Sequence, residues 1–360
     1  MKQKSGSLSI AILCSCAIIA KHLVIGPEYM IKATGNAAWL EITGKCLLSG
    51  IVLFVIIWLY KPLFPCSPEE LFKSSLGVVG KTVLSYVYAF GFILLNAGLL
   101  RILVDALNSV MAANAPREFF ALFVITAVLF ASFCGLRASG NLCTVIFPFV
   151  VLTLVGVCII LLPHYRFENI MPVLGKGADA LVDSVFTKQF VFPELVLLLF
   201  LSSKLGSFKE LKKAGMLTVL FVSVFSIFFT LVYCLAIPYP ASERFFLPLY
   251  QMTRLIKAGT FLQRLEPLAV FIWTSCIMCS MSILTAVSAS LLSGDHRTRQ
   301  NGFVPIVISI SLFLAMLSSN EVLQIDLYEK LLDYCFILYP VIPFAVILIS
   351  RLRKGGATSR

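Results

Sequence analysis

Residues 17–35 read "AIIAKHLVIGPEYMIKATG". This stretch begins as an apolar helix, yet Lys21 and His22 lie in the middle of the run and Gly26-Pro27 follow shortly after. A charge at membrane depth is costly, and proline removes a backbone donor and clashes with the preceding turn. We therefore expect an interrupted helix, because such breaks persist in a membrane only where protein or a cavity satisfies the freed backbone.

The composition of the chain is that of an integral membrane protein. Of its 360 residues, 59% are hydrophobic and 13% are charged, whereas soluble domains carry about 25% charged residues. A helical crossing needs about 20 apolar residues, and no cleavable signal peptide is expected. The pattern predicts an all-α polytopic membrane protein with ten transmembrane helices, at residues 8–31, 37–60, 82–111, 117–136, 141–163, 181–203, 216–238, 266–293, 303–319 and 332–350.

The net charge of +11 follows the predicted topology. If the amino terminus is cytoplasmic, the inside loops and tails hold 16 Lys and Arg residues and the outside loops hold 9. Because basic residues favour the cytoplasmic side, this bias places both termini in the cytoplasm. The surplus of basic residues therefore reflects the topology of the chain, and we expect these residues to contact the headgroups of the lipid bilayer. No nucleic-acid partner is expected.

Cysteine and histidine patterns give no sign of a metal, a cofactor or an enzyme. Ten of the eleven cysteines lie in or beside apolar segments, as small buried hydrophobic residues do. Cys276 and Cys279 have C-x-x-C spacing but no histidine or second pair nearby. No nucleophile–base pair or phosphate-binding loop is present, so catalysis is not expected.

The ten segments divide into two halves of five. We expect a first repeat at residues 1–163, an outer linker at 164–180, a second repeat at 181–351 and a basic cytoplasmic tail at 352–360. Five crossings per half reverse the orientation of the second half, which gives an inverted repeat.

The first helix of the second half is also interrupted, at "TKQFVFPEL", residues 187–195, where Pro193 and Glu194 break an apolar run. Matched interruptions in two halves point to a central binding site. The alternative is a pair of plain proline kinks.

Three stretches resemble the spore germination permease family, the B subunits of nutrient germinant receptors in endospore-forming bacteria. They are "IGPEYMIKATGNAAWL" (25–40), "TKQFVFPELVLLLFL" (187–201) and "FLPLYQMTRLIKAGTFLQRLEPLAVFIW" (246–273). The resemblance implies the five-plus-five fold of amino acid–polyamine–organocation transporters, with broken first and sixth helices. It also implies a small-molecule germinant, an A subunit and a lipoprotein C subunit as partners, and the inner membrane of the spore as the location.

The chain departs from the family at the first-helix break. Family members commonly carry a Gly-Thr-Gly type sequence there, and the matching positions here are Ala20, Lys21 and His22. The difference points to a different germinant, or to a pocket sealed by the protein's own side chains.

Residues near the two interruptions and at the midplane of the third and eighth helices are the candidates for binding a ligand. They are Ala20, Lys21, His22, Asn96, Phe190, Phe192, Glu194, Trp273, Ser275 and Cys279. For Asn96 the alternative is an interhelical hydrogen bond, and for Ser275 and Cys279 it is close helix packing. Arg101 and Asp105 are spaced for an ion pair, and the amphipathic part of the outer loop 239–265 suits a lid or a docking helix.

Three functions fit this pattern: a germinant sensor that triggers germination, a secondary transporter of amino acids or ions, and a scaffold that has lost its pocket. The family resemblance favours the sensor. Because buried charges persist when paired, we expect Lys21 and Glu194 to approach within salt-bridge distance, with His22 beside them. The rival hypothesis has Lys21 reaching to the cytoplasmic face and Glu194 bound only by backbone amides.

Overall fold

The computed structural model describes residues 6–111, 114–187, 192–245, 247–256, 266–294, 297–317 and 337–357. Within these ranges the regular secondary structure is helical and contains no strand, as the sequence predicts. The α-helices are α1 (Ser7–Thr34), α2 (Ala38–Tyr60), α3 (Pro68–Met111), α4 (Arg117–Phe133), α5 (Leu136–Ile160), α6 (Ala178–Thr187), α7 (Leu197–Phe200), α8 (Phe208–Ala236), α9 (Pro248–Leu255), α10 (Glu266–Ser293), α11 (Arg297–Met316) and α12 (Ile342–Ala357).

Several of these helices are able to cross a membrane. By length and composition, six stretches of the described chain qualify, and the first of them contains both α1 and α2. The six are Ser7–Leu63, Pro68–Met111, Ala138–Ile160, Phe208–Ala236, Glu266–Ser293 and Arg299–Met316. The chain is therefore a multi-pass membrane protein, while the count of ten stays a prediction.

The first helix is continuous, so the predicted break in it is wrong. α1 runs as one α-helix through Lys21, His22, Gly26 and Pro27. Gly26 leaves room for the imidazole of His22, one turn earlier in the helix, since a Cβ at position 26 would lie 2.2 Å from Nδ1 of His22. Pro27 lies inside the helix, and membrane helices tolerate an interior proline where neighbouring helices surround the freed backbone. α1 is packed by α8, α10 and α5.

The sixth predicted segment is interrupted, as expected. α6 extends to Thr187, and residues 188–191 lie outside the described ranges. Phe192 has a non-helical backbone and precedes a 3₁₀ turn at Pro193–Val196, which is followed by α7 and a second 3₁₀ turn at Ser202–Lys204. Pro193 occupies the first position of its turn, where a missing N–H costs no hydrogen bond. The interruption places the backbone of Glu194 at the centre of the molecule, beside α1.

The third helix extends further than its apolar segment. α3 begins at Pro68 with a capping box, in which Glu70 N–H donates to Ser67 Oγ (3.2 Å) and Ser67 N–H donates to Glu70 Oε2 (2.8 Å). Gly77, with a φ of 77°, separates this short first part from the long second part. The long part packs against α10 and α11.

The linker at residues 164–180 is held tightly against the junction of α1 and α2. The amide of Asn36 donates to the carbonyl of Met171, and Lys176 Nζ donates to the carbonyl of Lys32 at 2.8 Å. Gly175 has a φ of 53°, and a Cβ there would lie 1.9 Å from the carbonyl oxygen of Thr34. Only glycine fits this contact, which closes the linker end of α1.

Candidate ligand-binding site

A buried ion pair joins the first helix to the interrupted sixth segment. Lys21 Nζ donates to both carboxylate oxygens of Glu194, each at 2.9 Å. The two side chains are only 4% and 1% exposed. The predicted pair is confirmed, and the rival arrangement, in which Lys21 reaches to the cytoplasmic face, is wrong.

The fold explains how the two charges meet. Lys21 lies in the middle of α1, and Glu194 is the second residue of the turn that Pro193 begins. A lone charge at membrane depth costs about 2.5–3.5 kcal/mol on insertion scales, and removing one member of a buried pair costs about 3–5 kcal/mol. Each residue therefore depends on the other for its place in the interior.

His22 is turned toward α8 rather than toward this pair. Its Nε2 lies 3.1 Å from Oγ1 of Thr230, and its ring meets that of Phe229 edge to face, with centroids 6.0 Å apart. Successive residues of an α-helix point about 100° apart, which accounts for the different neighbours of Lys21 and His22. His22, which follows Lys21 in the chain, therefore takes no part in the ion pair itself and instead joins α1 to α8.

The other candidates near the interruption are apolar and buried. Ala20 is fully buried in α1, and Phe192 is 2% exposed immediately before the 3₁₀ turn. Phe190 lies outside the described residues. Their roles toward a ligand stay predictions.

Asn96 takes part in an interhelical hydrogen bond, the alternative that its sequence position allowed. Its Nδ2 donates to Oγ1 of Thr285 at 3.0 Å and lies 3.3 Å from Oγ of Ser311. The amide thus ties α3 to α10 and α11. Arg101, one and a half turns further along α3, donates to Asp105 at 2.7 Å, which confirms the predicted ion pair.

Two of the three candidates on α10, Trp273 and Cys279, are buried. Trp273 is buried beside Tyr250 of α9, with ring centroids 6.3 Å apart. Cys279 is buried, and Ser275 is half-buried. Ligand binding by the three residues stays a prediction.

A second buried ion pair was missed by the sequence reasoning. Glu41 and Lys45 form a salt bridge one turn apart on α2, and both are fully buried. The carboxylate also accepts from Thr34 Oγ1 (2.9 Å) on α1 and Ser184 Oγ (2.6 Å) on α6. The i, i+4 spacing of "EITGK" was a usable signal for the pair, whereas only the fold brings Ser184 to it.

The interior around these pairs is closely packed. A cavity lined by Leu23, Leu154 and Ile272 among others holds about 10 Å³, and a cleft beside Phe192 holds about 20 Å³. Each is the space of about one water molecule. No group of three His, Cys, Asp or Glu side chains in the described chain is arranged to hold a metal ion.

Comparison with solved structures gives the fold class. The chain matches Mhp1, a nucleobase-cation-symport-1 family transporter in a closed conformation with bromovinylhydantoin bound, with a TM-score of 0.64. The match covers 96% of this chain and 78% of the transporter at 12% identity. At this identity the likeness shows that the helices have a transporter-like fold.

Comparison with curated proteins and family models gives the family. The chain is 24% identical to spore germination protein KB of Bacillus subtilis over 69% of its length and 67% of that protein. It is 20% identical to spore germination protein B2 of the same organism over 95% and 94% of the two chains. It is also 21% identical to spore germination protein XB of Bacillus anthracis over 87% of each. The family model described as "Spore germination protein" matches residues 7–324, and the chain therefore belongs to the spore germination protein family.

Proposed function

We propose that this chain is the germinant-sensing membrane subunit of a spore nutrient receptor, and that its ligand binds where Lys21 and Glu194 now pair. The observation that carries the proposal is the buried ion pair at the helix interruption. Membership of the spore germination protein family and the transporter-like fold both support a small-molecule site between α1 and the sixth segment.

The chemistry of the pair indicates the class of ligand. A zwitterion of amino acid size carries a carboxylate that suits the ammonium of Lys21 and an amine that suits the carboxylate of Glu194. Binding would exchange one internal ion pair for two charge-assisted contacts. Because the interior charges are neutralised in both states, the ligand shifts the balance between two conformations without leaving a charge unpaired.

The proposal includes the arrangement in the membrane. Ten helices form a five-plus-five inverted repeat, with both termini in the cytoplasm, in the inner membrane of the spore. The division at residues 163 and 181 follows from this repeat. An A subunit and a lipoprotein C subunit complete the receptor, and affinity purification of the tagged chain from spore membranes is expected to recover both. Full germination in a strain that lacks those subunits would contradict this assembly.

The alternative function is secondary transport of an amino acid or an ion through the same site. It is favoured by the likeness to a symporter fold. The two functions differ in turnover, because a sensor needs only to bind.

Two measurements on the purified protein test the proposal. A thermal-shift screen of amino acids, nucleosides and sugars is expected to find a zwitterionic ligand that raises the melting temperature, since a ligand that binds only the folded state stabilises it. Uptake of that ligand, radiolabelled, into proteoliposomes then separates sensing from transport. A ligand shift without uptake supports the sensor, and saturable uptake supports the transporter.

A matched pair of variants locates the site. Lys21→Met with Glu194→Gln removes the buried pair, whereas Lys32→Met with Glu28→Gln removes the salt bridge between Lys32 and Glu28 near the end of the same helix, in which Lys32 is exposed. We expect the first double variant to lose the ligand-induced shift and the second to keep it. An undiminished shift in the first would overturn the proposed site.

A further inference from the structure

The linker between α5 and α6 exposes large apolar side chains. Phe167, Met171 and Leu174 are 80%, 64% and 49% exposed, and Leu162, just before the linker, is 59% exposed. These four residues lie between the two α-helices and belong to neither. A run of exposed apolar side chains of this kind marks a surface that contacts a membrane or another protein.

Hydrogen bonds hold the first part of the linker at the end of a membrane helix. The carbonyl of Leu235, in the last turn of α8, accepts from the backbone N–H of Arg166 at 3.1 Å and from Nδ2 of Asn169 at 2.9 Å. Phe167 lies between these two attachments in the chain. Both α5, which runs directly into the linker, and α8 are able to cross a membrane and end here. We therefore expect Phe167 to lie where the hydrocarbon of the bilayer meets the headgroups.

The second part of the linker is fixed at the ends of two more helices. The carbonyl of Met171 accepts from the amide of Asn36, and the backbone N–H of Lys176 donates to the carbonyl of Thr34 at 3.1 Å. Thr34 ends α1, and Asn36 lies in the turn between α1 and α2. The exposed side chains thus belong to a loop that is bonded to the end of α1, the helix that carries Lys21.

The apolar surface of the linker continues onto the helices on both sides of it. Val155 and Ile159 are exposed in the last two turns of α5, and Val182 and Phe186 are exposed in α6. On a membrane-spanning helix such as α5, exposed apolar side chains face the lipid tails. Because the bilayer contacts the surface directly beside the linker, this continuity favours lipid over a protein as the partner of the linker.

We propose that the linker is an interfacial membrane anchor, with the side chains of Phe167, Met171 and Leu174 inserted at the boundary between headgroups and acyl chains. The partner is the lipid surface, and the burial of apolar side chains supplies the attraction. Through its bonds to Thr34 and Asn36, the anchor holds the end of α1 at the membrane boundary. This inference rests on the linker alone and does not depend on the identity of the germinant.

Site-directed spin labelling of the full chain in phosphatidylcholine vesicles tests the proposal. In a background without native cysteines, a nitroxide is attached at Phe167→Cys or Met171→Cys. Glu168→Cys, in the same 3₁₀ turn as Phe167, is the matched control. We expect the first two labels to lie about 5–10 Å below the phosphates, and to be more accessible to oxygen, which concentrates in the bilayer, than to a water-soluble nickel chelate. The label at position 168 is expected to show the opposite preference.

A charged substitution tests whether apolar side chains hold the linker in the membrane. Leu174→Glu is expected to move the label at position 171 toward the water, because a carboxylate is excluded from the acyl region. Glu168→Gln is the control and is expected to leave the depth of that label unchanged. Thermal unfolding in the same vesicles verifies that each variant is folded.

Three results would overturn the proposal. The first is equal access of the nickel chelate to the labels at positions 167, 168 and 171, which would place the whole linker in water. The second is labels at 167 and 171 that neither reagent reaches, which would indicate a protein neighbour, such as a second copy of the chain, in place of lipid. The third is an unchanged depth of the label at position 171 in the Leu174→Glu variant.

Discussion

Lys21 and Glu194 are 173 residues apart in the chain, yet Nζ of the lysine lies 2.9 Å from each carboxylate oxygen of the glutamate. The pair is almost entirely withdrawn from the surface. Its Coulomb attraction and two hydrogen bonds offset the cost of bringing two charges into the membrane interior. It also fastens the interrupted segment to α1.

The first prediction concerns the coupling of these two residues. Lys21→Met and Glu194→Gln are each expected to lower the free energy of unfolding by about 3–5 kcal/mol, because each leaves one buried charge without its partner. The double variant is expected to lose less than the sum of the two. Unfolding in detergent micelles measures all four proteins, and strictly additive losses would show that the residues are not coupled.

The ion pair is the part of the site that could be predicted from the sequence. Two opposite charges interrupt apolar runs at matched positions of the two halves, and a membrane interior tolerates such charges only in pairs. Asn96 was ambiguous for a physical reason, since a membrane-embedded amide is equally suited to a ligand and to the hydroxyl of a neighbouring helix such as Thr285.

The continuity of α1 could not be predicted in the same way. Gly26-Pro27 is a local helix-breaking signal, but the outcome depended on the room that His22 needs and on the helices packed around α1. The partners of Glu41 are hidden for a similar reason. Ser184 lies 143 residues from Glu41 in the chain. Because many other serines also lie in apolar segments, the sequence does not single out Ser184 as the partner.

The second prediction tests the role of Gly26. Gly26→Ala is expected to destabilise the protein by about 1–3 kcal/mol, as overpacking does, because the new methyl group would overlap the imidazole of His22. Gly156→Ala in α5 is the control, since nothing lies within 4 Å of a Cβ there, and it is expected to be neutral or stabilising. Melting temperatures in detergent compare the two variants.

His22→Ala in the Gly26→Ala background completes this test. The smaller side chain removes the overlap, so the double variant is expected to be less destabilised than the sum of the single changes. If Gly26→Ala is as stable as the unaltered protein, the imidazole of His22 does not require the space that the glycine leaves.

The third prediction concerns the direction of the chain in the membrane. In a background without native cysteines, Glu168→Cys in the outer linker is expected to react with a membrane-impermeant maleimide added from outside intact cells. Lys212→Cys in α8 is expected to react only after the membrane is opened. Both positions are exposed, so access depends on the side of the membrane alone. The reverse labelling pattern would contradict a cytoplasmic amino terminus.

The fourth prediction concerns the second buried pair. Glu41→Gln removes the charge that holds Lys45 and is expected to lower the free energy of unfolding by about 3–5 kcal/mol. Lys45→Met in the same protein removes the stranded ammonium and is expected to restore part of that loss. Melting temperatures of the two single variants and the double variant measure this coupling.

Two hydroxyl groups donate hydrogen bonds to Glu41, and removing either of them is a smaller change than removing the charge. Ser184→Ala deletes one donor, at 2.6 Å, and Thr34→Val deletes another, at 2.9 Å. A hydrogen bond to a charged group contributes about 1.5–3 kcal/mol, so each change is expected to cost less than Glu41→Gln. Ser203→Ala, an exposed serine, is the matched control and is expected to be neutral. If Ser184→Ala is equally neutral, Glu41 does not hold α6 against α2, and the upstream side of the interruption is fixed by apolar packing alone.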